Sequence, residues 1–237
     1  MTISQHHVAG SLSLIARELD GLVAAVTGRP AAAAGGTDGT DGVSGRADGT
    51  AIDDRDDRDD RDDRAALADL ADPDGRDALD DLADLVAASS RVFVHGAGRS
   101  GLALRMTAMR LMHLGLTVHV VGDVTTPAIA ADDLLLTASG SGTTGSIVRA
   151  AETARQAGAK VAAFTTERGS ELARLASVVV VVPAAGKLDR SGAASAQYAG
   201  SLFEQAVVLL GDALFDALWH RSGASADELW PRHANLE

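Results

Sequence analysis

The chain has 237 residues, of which 46% are hydrophobic and only 3% aromatic, so Leu, Val, Ile and Ala must build the core. It contains no cysteine, which excludes disulfides and cysteine-based metal sites, and its formal net charge of −12 argues against nucleic acid as a partner. No apolar run approaches the roughly 20 residues that span a bilayer and no signal peptide is evident, so we expect a cytoplasmic protein without membrane contact.

The N-terminal part divides into a helix and an acidic insert. Apolar residues recur at helical spacing over 10–26, which predicts a helix within residues 1–29. Residues 30–64 then form a low-complexity insert, in which the triplet Asp-Asp-Arg occurs four times. Because the insert has almost nothing apolar to offset its ordering entropy, we expect it to be disordered. A partner-binding tail and a metal-sequestering acidic tract are the alternatives.

Short apolar runs alternate with helical segments after the insert. Helical periodicity over 65–88 is interrupted near Pro73, where a helix should end or begin. The predicted strands are residues 92–95, 118–121, 134–137, 161–165 and 178–182. This alternation predicts an α/β fold with a parallel sheet, in which ligands bind at the carboxyl ends of the strands.

The last long helix is predicted over residues 198–220. Its apolar residues lie on more than one face, which indicates a helix buried in the core or between subunits. Residues 223–237 form a predicted polar C-terminal tail.

A loop rich in hydroxyl groups and glycines follows the third predicted strand, and we call it the Ser/Thr loop. Its residues are Ser139, Gly140, Ser141, Gly142, Thr143 and Thr144. Glycines let backbone N–H groups come close, hydroxyls donate hydrogen bonds, and the following helix adds positive potential. The loop therefore favours a phosphate monoester as ligand, although a simple polar turn is the alternative.

A second glycine-rich segment, residues 96–101, follows the first predicted strand, and we call it the glycine loop. It matches the G-x-G-x-x-G pattern, and Asp123 lies near the distance at which a dinucleotide site expects an acidic residue. Arg99 and Ser100 within this loop suit a phosphate or a polyol better than a dinucleotide. We therefore favour the former and keep a dinucleotide as the alternative.

Two further side chains could carry acid–base chemistry. Glu204 stands near the start of the last helix, where Ser201-x-x-Glu204 is either a capping box or the setting of a general base. His113 lies near the end of a predicted helix, where it could interact with terminal carbonyls or serve as a proton donor. The residues alone favour the structural interpretation for His113 and leave both open for Glu204.

Several segments together resemble known proteins. They are residues 92–101, 109–115, 126–129, 139–144, 200–205 and 233–237. These segments resemble the sugar isomerase (SIS) domain and, more narrowly, the 6-phospho-3-hexuloisomerase family. The acidic insert has no expected counterpart in that family, Tyr198 stands where the family usually has proline, and the segment around Lys187 is looser than usual.

The resemblance implies a fold and a reaction. The fold is a three-layer flavodoxin-like SIS domain over residues 65–222, with a five-stranded parallel sheet, N-terminal helices and a long C-terminal helix. The reaction is the isomerisation of D-arabino-hex-3-ulose 6-phosphate to fructose 6-phosphate through an enediolate, in ribulose monophosphate formaldehyde fixation. The resemblance also implies that no cofactor or metal is needed and that a homotetramer carries active sites near its subunit interfaces.

The resemblance further assigns roles to single residues. Glu204 would be the base, and His113, from the same or a neighbouring subunit, would polarise or protonate oxygen. Ser100 and Arg99 would bind substrate. The phosphate would be held by Ser139, Ser141, Thr143 and Thr144, with backbone access from Gly140 and Gly142. Lys187 and His233 receive no role.

Two other functions stay open at this level. One is a different SIS-type phosphosugar isomerase. The other is a non-catalytic phosphosugar sensor, a class in which this domain is often joined to a DNA-binding helix-turn-helix. Residues 1–90 contain no basic recognition helix, which argues against the sensor.

Overall fold

A computed structural model describes residues 8–28, 75–186, 189, 191 and 195–236 of the chain. The acidic insert at 30–64, for which we predicted disorder, and Lys187 lie outside the described residues. Among the described helices, none combines the length and the hydropathy that crossing a bilayer would require.

A five-stranded parallel sheet forms the centre of the molecule. Its strands are β1 (Val92–Gly96), β2 (Val118–Val120), β3 (Leu134–Ala138), β4 (Lys160–Thr165) and β5 (Val178–Val181). Their spatial order is β2-β1-β3-β4-β5, and every neighbouring pair is parallel. The central strand β3 is buried along its whole length, which explains its continuous apolar sequence. Each predicted strand is present, with ends that differ by a residue or less.

Helices cover both faces of the sheet. They are α1 (Val8–Thr27), α2 (Gly75–Ala88), α3 (Gly98–His113), α4 (Gly145–Gln156), α5 (Glu171–Leu175), α6 (Ser201–Ser222) and α7 (Ala226–Leu229), followed by a turn of 3₁₀ helix (Trp230–Arg232). One core layer joins α1, α2, α3 and α6 to the sheet, and a second joins α4 and α5 to its other face. The predicted three-layer α/β fold is thus confirmed.

The last long helix belongs to the core, as one of the two sequence interpretations held. Leu202, Leu210 and Leu214 of α6 are buried in the larger core layer. The helix packs so closely on α3 that a Cβ atom at Gly211 would collide with the Thr107 side chain. This close packing brings the beginning of α3 and the beginning of α6 together at one edge of the molecule.

A partly buried ion pair ties β1 and β3 together at their amino ends, opposite the edge where we expect ligands to bind. Asp133 is 1% exposed, and it accepts hydrogen bonds from Arg91 Nε at 2.9 Å and from Arg91 Nη2 at 2.6 Å. The Ala130 N–H donates a further bond to Asp133 Oδ2 at 2.8 Å. These bonds, led by the one from Arg91, hold the pKa of Asp133 below its usual value.

We expect the substitution Asp133→Asn to lower the free energy of unfolding at pH 7 by about 2 kcal/mol, because it removes charge-assisted hydrogen bonds. Since the pKa of Asp133 is depressed in the folded state, its contribution is complete above the unfolded-state value near 4. That contribution is lost as the pH falls through the folded-state pKa. Urea unfolding at pH 7 and pH 3.5 checks this, and an equal difference from wild type at both pH values would contradict it.

Candidate active site

The Ser/Thr loop lies at the carboxyl end of β3 and leads directly into α4, as the sequence predicted. It borders a small, partly open cleft. The residues that line this cleft are Ala97, Ser100, Ala138, Ser139, Gly140, Ser141, Thr144 and Ile147. Five predicted ligand-binding residues therefore meet in one cleft, whereas Arg99, Gly142 and Thr143 flank it.

The shape of the Ser/Thr loop depends on Gly142. Its φ angle is +61°, and a Cβ atom there would collide with the Ser170 side chain. The Gly142 N–H donates to the Ser139 carbonyl at 3.0 Å, and the Gly142 carbonyl accepts from the Leu172 N–H at 3.0 Å. Only glycine fits this tight turn, which curls the backbone around the cleft.

The hydroxyl groups of the Ser/Thr loop bond to one another. Ser139 Oγ and Thr144 Oγ1 are 3.0 Å apart, and Thr143 Oγ1 donates to Ser141 Oγ at 3.1 Å. Thr144 is the N-cap residue of α4, yet its side chain makes no capping hydrogen bond. The first turn of α4 therefore keeps N–H groups for an anion, and the loop hydroxyls can turn toward the same ligand.

The glycine loop owes its pattern to close packing between β1 and α3. A Cβ atom at Gly101 would collide with the Gly96 carbonyl, so both positions require glycine. Asp123, the acidic residue that a dinucleotide site would use, forms an ion pair with Arg105 at 2.9 Å. Ser100 is buried and lines the cleft. The packing of β1 against α3 accounts for Gly96 and Gly101 without a dinucleotide, and Gly98 has a φ angle of +58° at the start of α3.

Glu204 lies beside the cleft in the first turn of α6. Its side chain is buried, and its Oε2 atom is 2.9 Å from Arg99 Nε. The side chain of the neighbouring Phe203 lies near the Ser/Thr loop. Its Cδ1 atom is 3.6 Å from the position that a Cβ atom at Gly140 would occupy. The Glu204 carboxylate therefore bonds to the glycine loop, while its neighbour Phe203 packs near the Ser/Thr loop.

The capping-box interpretation of Ser201 and Glu204 is wrong. The N-cap residue of α6 is Gly200, so Ser201 is already the first helical residue and its hydroxyl donates to the Tyr198 carbonyl at 2.7 Å. A capping box occurs instead at Ser225 and Glu228, at the start of α7. The Glu204 carboxylate is thus free of a capping role and pairs with Arg99.

His113 lies at the opposite end of α3 from Arg99. With a rise of about 1.5 Å per residue, the two ends of this helix are about 21 Å apart. The His113 ring is buried and stacks on His233 with centroids 4.0 Å apart. Burial, followed by the charges of His233 and Arg110, lowers its pKa, which favours the neutral ring. Within one chain the structure does not bring His113 to Glu204.

A family model describes most of this region. The SIS domain model matches residues 85–204, which include the glycine loop, the Ser/Thr loop and Glu204. The chain belongs to the SIS domain family.

Two curated relatives and one solved structure are similar to this chain. The chain is 62% identical over 152 residues to the 3-hexulose-6-phosphate isomerase of Mycobacterium gastri, covering 64% of this chain and 76% of that one. It is 39% identical over 153 residues to the 3-hexulose-6-phosphate isomerase of Bacillus subtilis, covering 64% of this chain and 83% of that one. A crystal structure from Methanococcus jannaschii, whose inferred molecular function is that of a 3-hexulose-6-phosphate isomerase, is 28% identical. It has a TM-score of 0.61 and covers 76% of this chain and 99% of that one.

Sequence reasoning missed two hydroxyl residues that support the site of this SIS domain. Thr165 Oγ1 and Thr166 Oγ1 donate to the Gly140 carbonyl at 3.0 Å and 2.9 Å. They fix the backbone of the Ser/Thr loop from the carboxyl end of the neighbouring strand β4. The sequence could have indicated them, because two consecutive threonines stand at the carboxyl end of a predicted strand, where ligands were expected to bind.

Proposed function

We propose that this chain isomerises D-arabino-hex-3-ulose 6-phosphate to fructose 6-phosphate. The observation that carries the proposal is the buried Glu204 carboxylate beside a loop of hydroxyls and N–H groups suited to phosphate. The 62% identity to the relative from Mycobacterium gastri specifies the sugar. The reaction would belong to ribulose monophosphate formaldehyde fixation.

In this mechanism the phosphate anchors the sugar and the carboxylate moves the proton. The Ser/Thr loop and Ser100 bind the phosphate end, which places C2 and C3 beside Glu204. Glu204 removes the proton from C2, which gives an enediolate with its negative charge on O3. O3 then takes up a proton and the O2 hydroxyl gives one up, a net transfer from O2 to O3. The proton held by Glu204 then returns to C3, so the carbonyl has moved to C2. We propose that these steps need no metal or cofactor.

In this mechanism the Arg99 side chain changes its partner when substrate binds. Its side chain is 62% exposed although it pairs with the buried Glu204. It holds the carboxylate in place before substrate binds and can then turn toward the phosphate, because its neighbour Ser100 lines the same cleft. The same cation thereby serves first the base and then the substrate.

We also infer that the chain forms a homo-oligomer, a tetramer as the family resemblance implies. Leu102, Met106 and Met109 lie on one face of α3 and are 64%, 49% and 52% exposed. Three large apolar side chains at helical spacing on one surface are typical of a contact with a second subunit. His113 continues the same spacing, so we propose that it serves the site of a neighbouring subunit.

The location and the domain limits are further proposals. A cysteine-free chain that acts on a phosphorylated metabolite suits the cytoplasm. We propose residues 65–222 as the catalytic domain, with α1 before it and the tail from 223 onward behind it.

Incubation with a hexulose phosphate synthase, formaldehyde and ribulose 5-phosphate tests the function. We expect fructose 6-phosphate to accumulate only when both proteins are present, at a kcat in the range of about 1–10³ s⁻¹ that is usual for enzymes. A panel of hexulose, heptulose and pentose phosphates separates the alternatives. Turnover of another sugar phosphate alone would indicate a different isomerase, and tight binding without any turnover would indicate a sensor.

A further inference from the structure

Glu18 of α1 is a buried carboxylate that lies outside the region matched by the family model. It accepts hydrogen bonds from Ser195 Oγ at 2.7 Å, from the Ala196 N–H at 2.8 Å and from Gln197 Nε2 at 2.9 Å. We call this group of four residues the Glu18 clamp. A buried carboxylate is costly unless donors surround it, and the loop before α6 supplies three of them.

The Glu18 clamp continues into the first turn of α6. Gln197 Nε2 donates to Gln205 Oε1 at 3.1 Å, and Gln205 Nε2 donates back to Gln197 Oε1 at 2.9 Å. Gln205 directly follows Glu204 in the chain. A continuous set of hydrogen bonds therefore joins Glu18 to the residue beside the proposed base.

The turn between the clamp and α6 is conformationally unusual. Ala199 has a φ angle of +50° and Gly200 one of +80°, so two successive residues adopt the left-handed region. An L-residue such as alanine is strained there and keeps this conformation only when its surroundings hold it. The Glu18 clamp anchors the turn on one side, and the Ser201 N–H bond to the Tyr198 carbonyl at 3.1 Å closes it on the other.

We propose that Glu18 is a positioning residue for the isomerisation at Glu204. It touches neither substrate nor the reacting atoms, and it acts by holding Gln197 and the strained turn so that α6 presents Glu204 to the cleft. This inference rests on the proposed function. Small displacements of a catalytic group cost large factors in rate, so the clamp should affect kcat more than substrate binding.

The test compares Glu18→Ala, Glu18→Gln and Asp20→Asn. Asp20 is an exposed carboxylate on the same helix, so its substitution is the matched control for the loss of one charge. We expect Glu18→Ala to lower kcat about 10- to 100-fold with KM changed less than about 3-fold. Gln keeps one acceptor oxygen, so Glu18→Gln should recover part of the loss, and Asp20→Asn should match wild type. Full kcat in folded Glu18→Ala and Glu18→Gln, with only a lower Tm, would overturn the proposal.

A second variant and a substrate-free measurement complete the test. If Glu18→Ala does not fold, Gln197→Ala removes the link to Gln205, and unchanged kcat in both Gln197→Ala and Glu18→Gln would overturn the proposal. Hydrogen exchange over residues 196–205 needs no substrate, so it reports on the clamp even if the wild-type chain shows no isomerase activity. We expect exchange there to accelerate at least about 10-fold in Glu18→Gln, with β3 and β4 unchanged. Unchanged exchange over 196–205 would also overturn it.

Discussion

Replacing Glu204 by Gln is expected to lower kcat by about 10²- to 10⁴-fold while fructose 6-phosphate still binds. General-base catalysis usually contributes factors of this size, and glutamine keeps the shape of the side chain but cannot take up the C2 proton. The phosphate contacts lie in the Ser/Thr loop and the first turn of α4, which the substitution leaves in place. Turnover is measured in the coupled assay, and binding by calorimetry with fructose 6-phosphate.

Asp212→Asn is the matched control for Glu204→Gln. Asp212 lies on the same helix, but its side chain is 49% exposed and pairs with Arg110 on the outer surface. This control should leave kcat within about 2-fold of wild type, as surface changes away from a site usually do. If Glu204→Gln turned over at nearly the wild-type rate, the carboxylate would not be the base. If binding were lost together with turnover, Glu204 would belong to the binding contacts instead.

Much of the fold was predictable because it follows from local patterns. The apolar runs that form β1, β3 and β4 are short, buried on both faces and separated by helical segments, which is typical of a parallel sheet. The Ser/Thr loop could also be recognised locally, since its hydroxyls and glycines are consecutive. The glycine loop resembled a dinucleotide fingerprint because strand–helix packing and dinucleotide binding select the same glycines.

The environment of Glu204 was not predictable from local sequence. A serine three residues before a glutamate fits a capping box, yet the helix begins one residue earlier than that motif requires. The partner of Glu204 is Arg99, far away in the chain, and only the close packing of α3 on α6 brings them together. The Glu18 clamp joins residues that are even farther apart in the chain, because it links α1 to residues 195–197.

The position of His113 relative to Glu204 was likewise not predictable from local sequence, and it leads to the second prediction of a large loss of kcat. The sequence places His113 near a helix end, but only the packing reveals that the other end of that helix faces Glu204. We expect His113→Ala to lower kcat about 100-fold, because it removes a buried, neutral imidazole that could donate a proton to the substrate oxygen. The measurement is kcat in the coupled assay, with the size of the assembly followed by light scattering.

Mixing two inactive variants decides whether His113 acts across an interface. After subunit exchange between Glu204→Gln and His113→Ala, a mixed pair of subunits contains one site with an intact Glu204 from one chain and an intact His113 from the other. If exchange is random and subunits pair symmetrically, activity should return to about one quarter of wild type. Recovery is expected only where light scattering shows assemblies larger than one chain. No recovery in exchanged assemblies would mean that each site uses residues of a single chain, and the distance of about 21 Å along α3 would then exclude His113 from the chemistry.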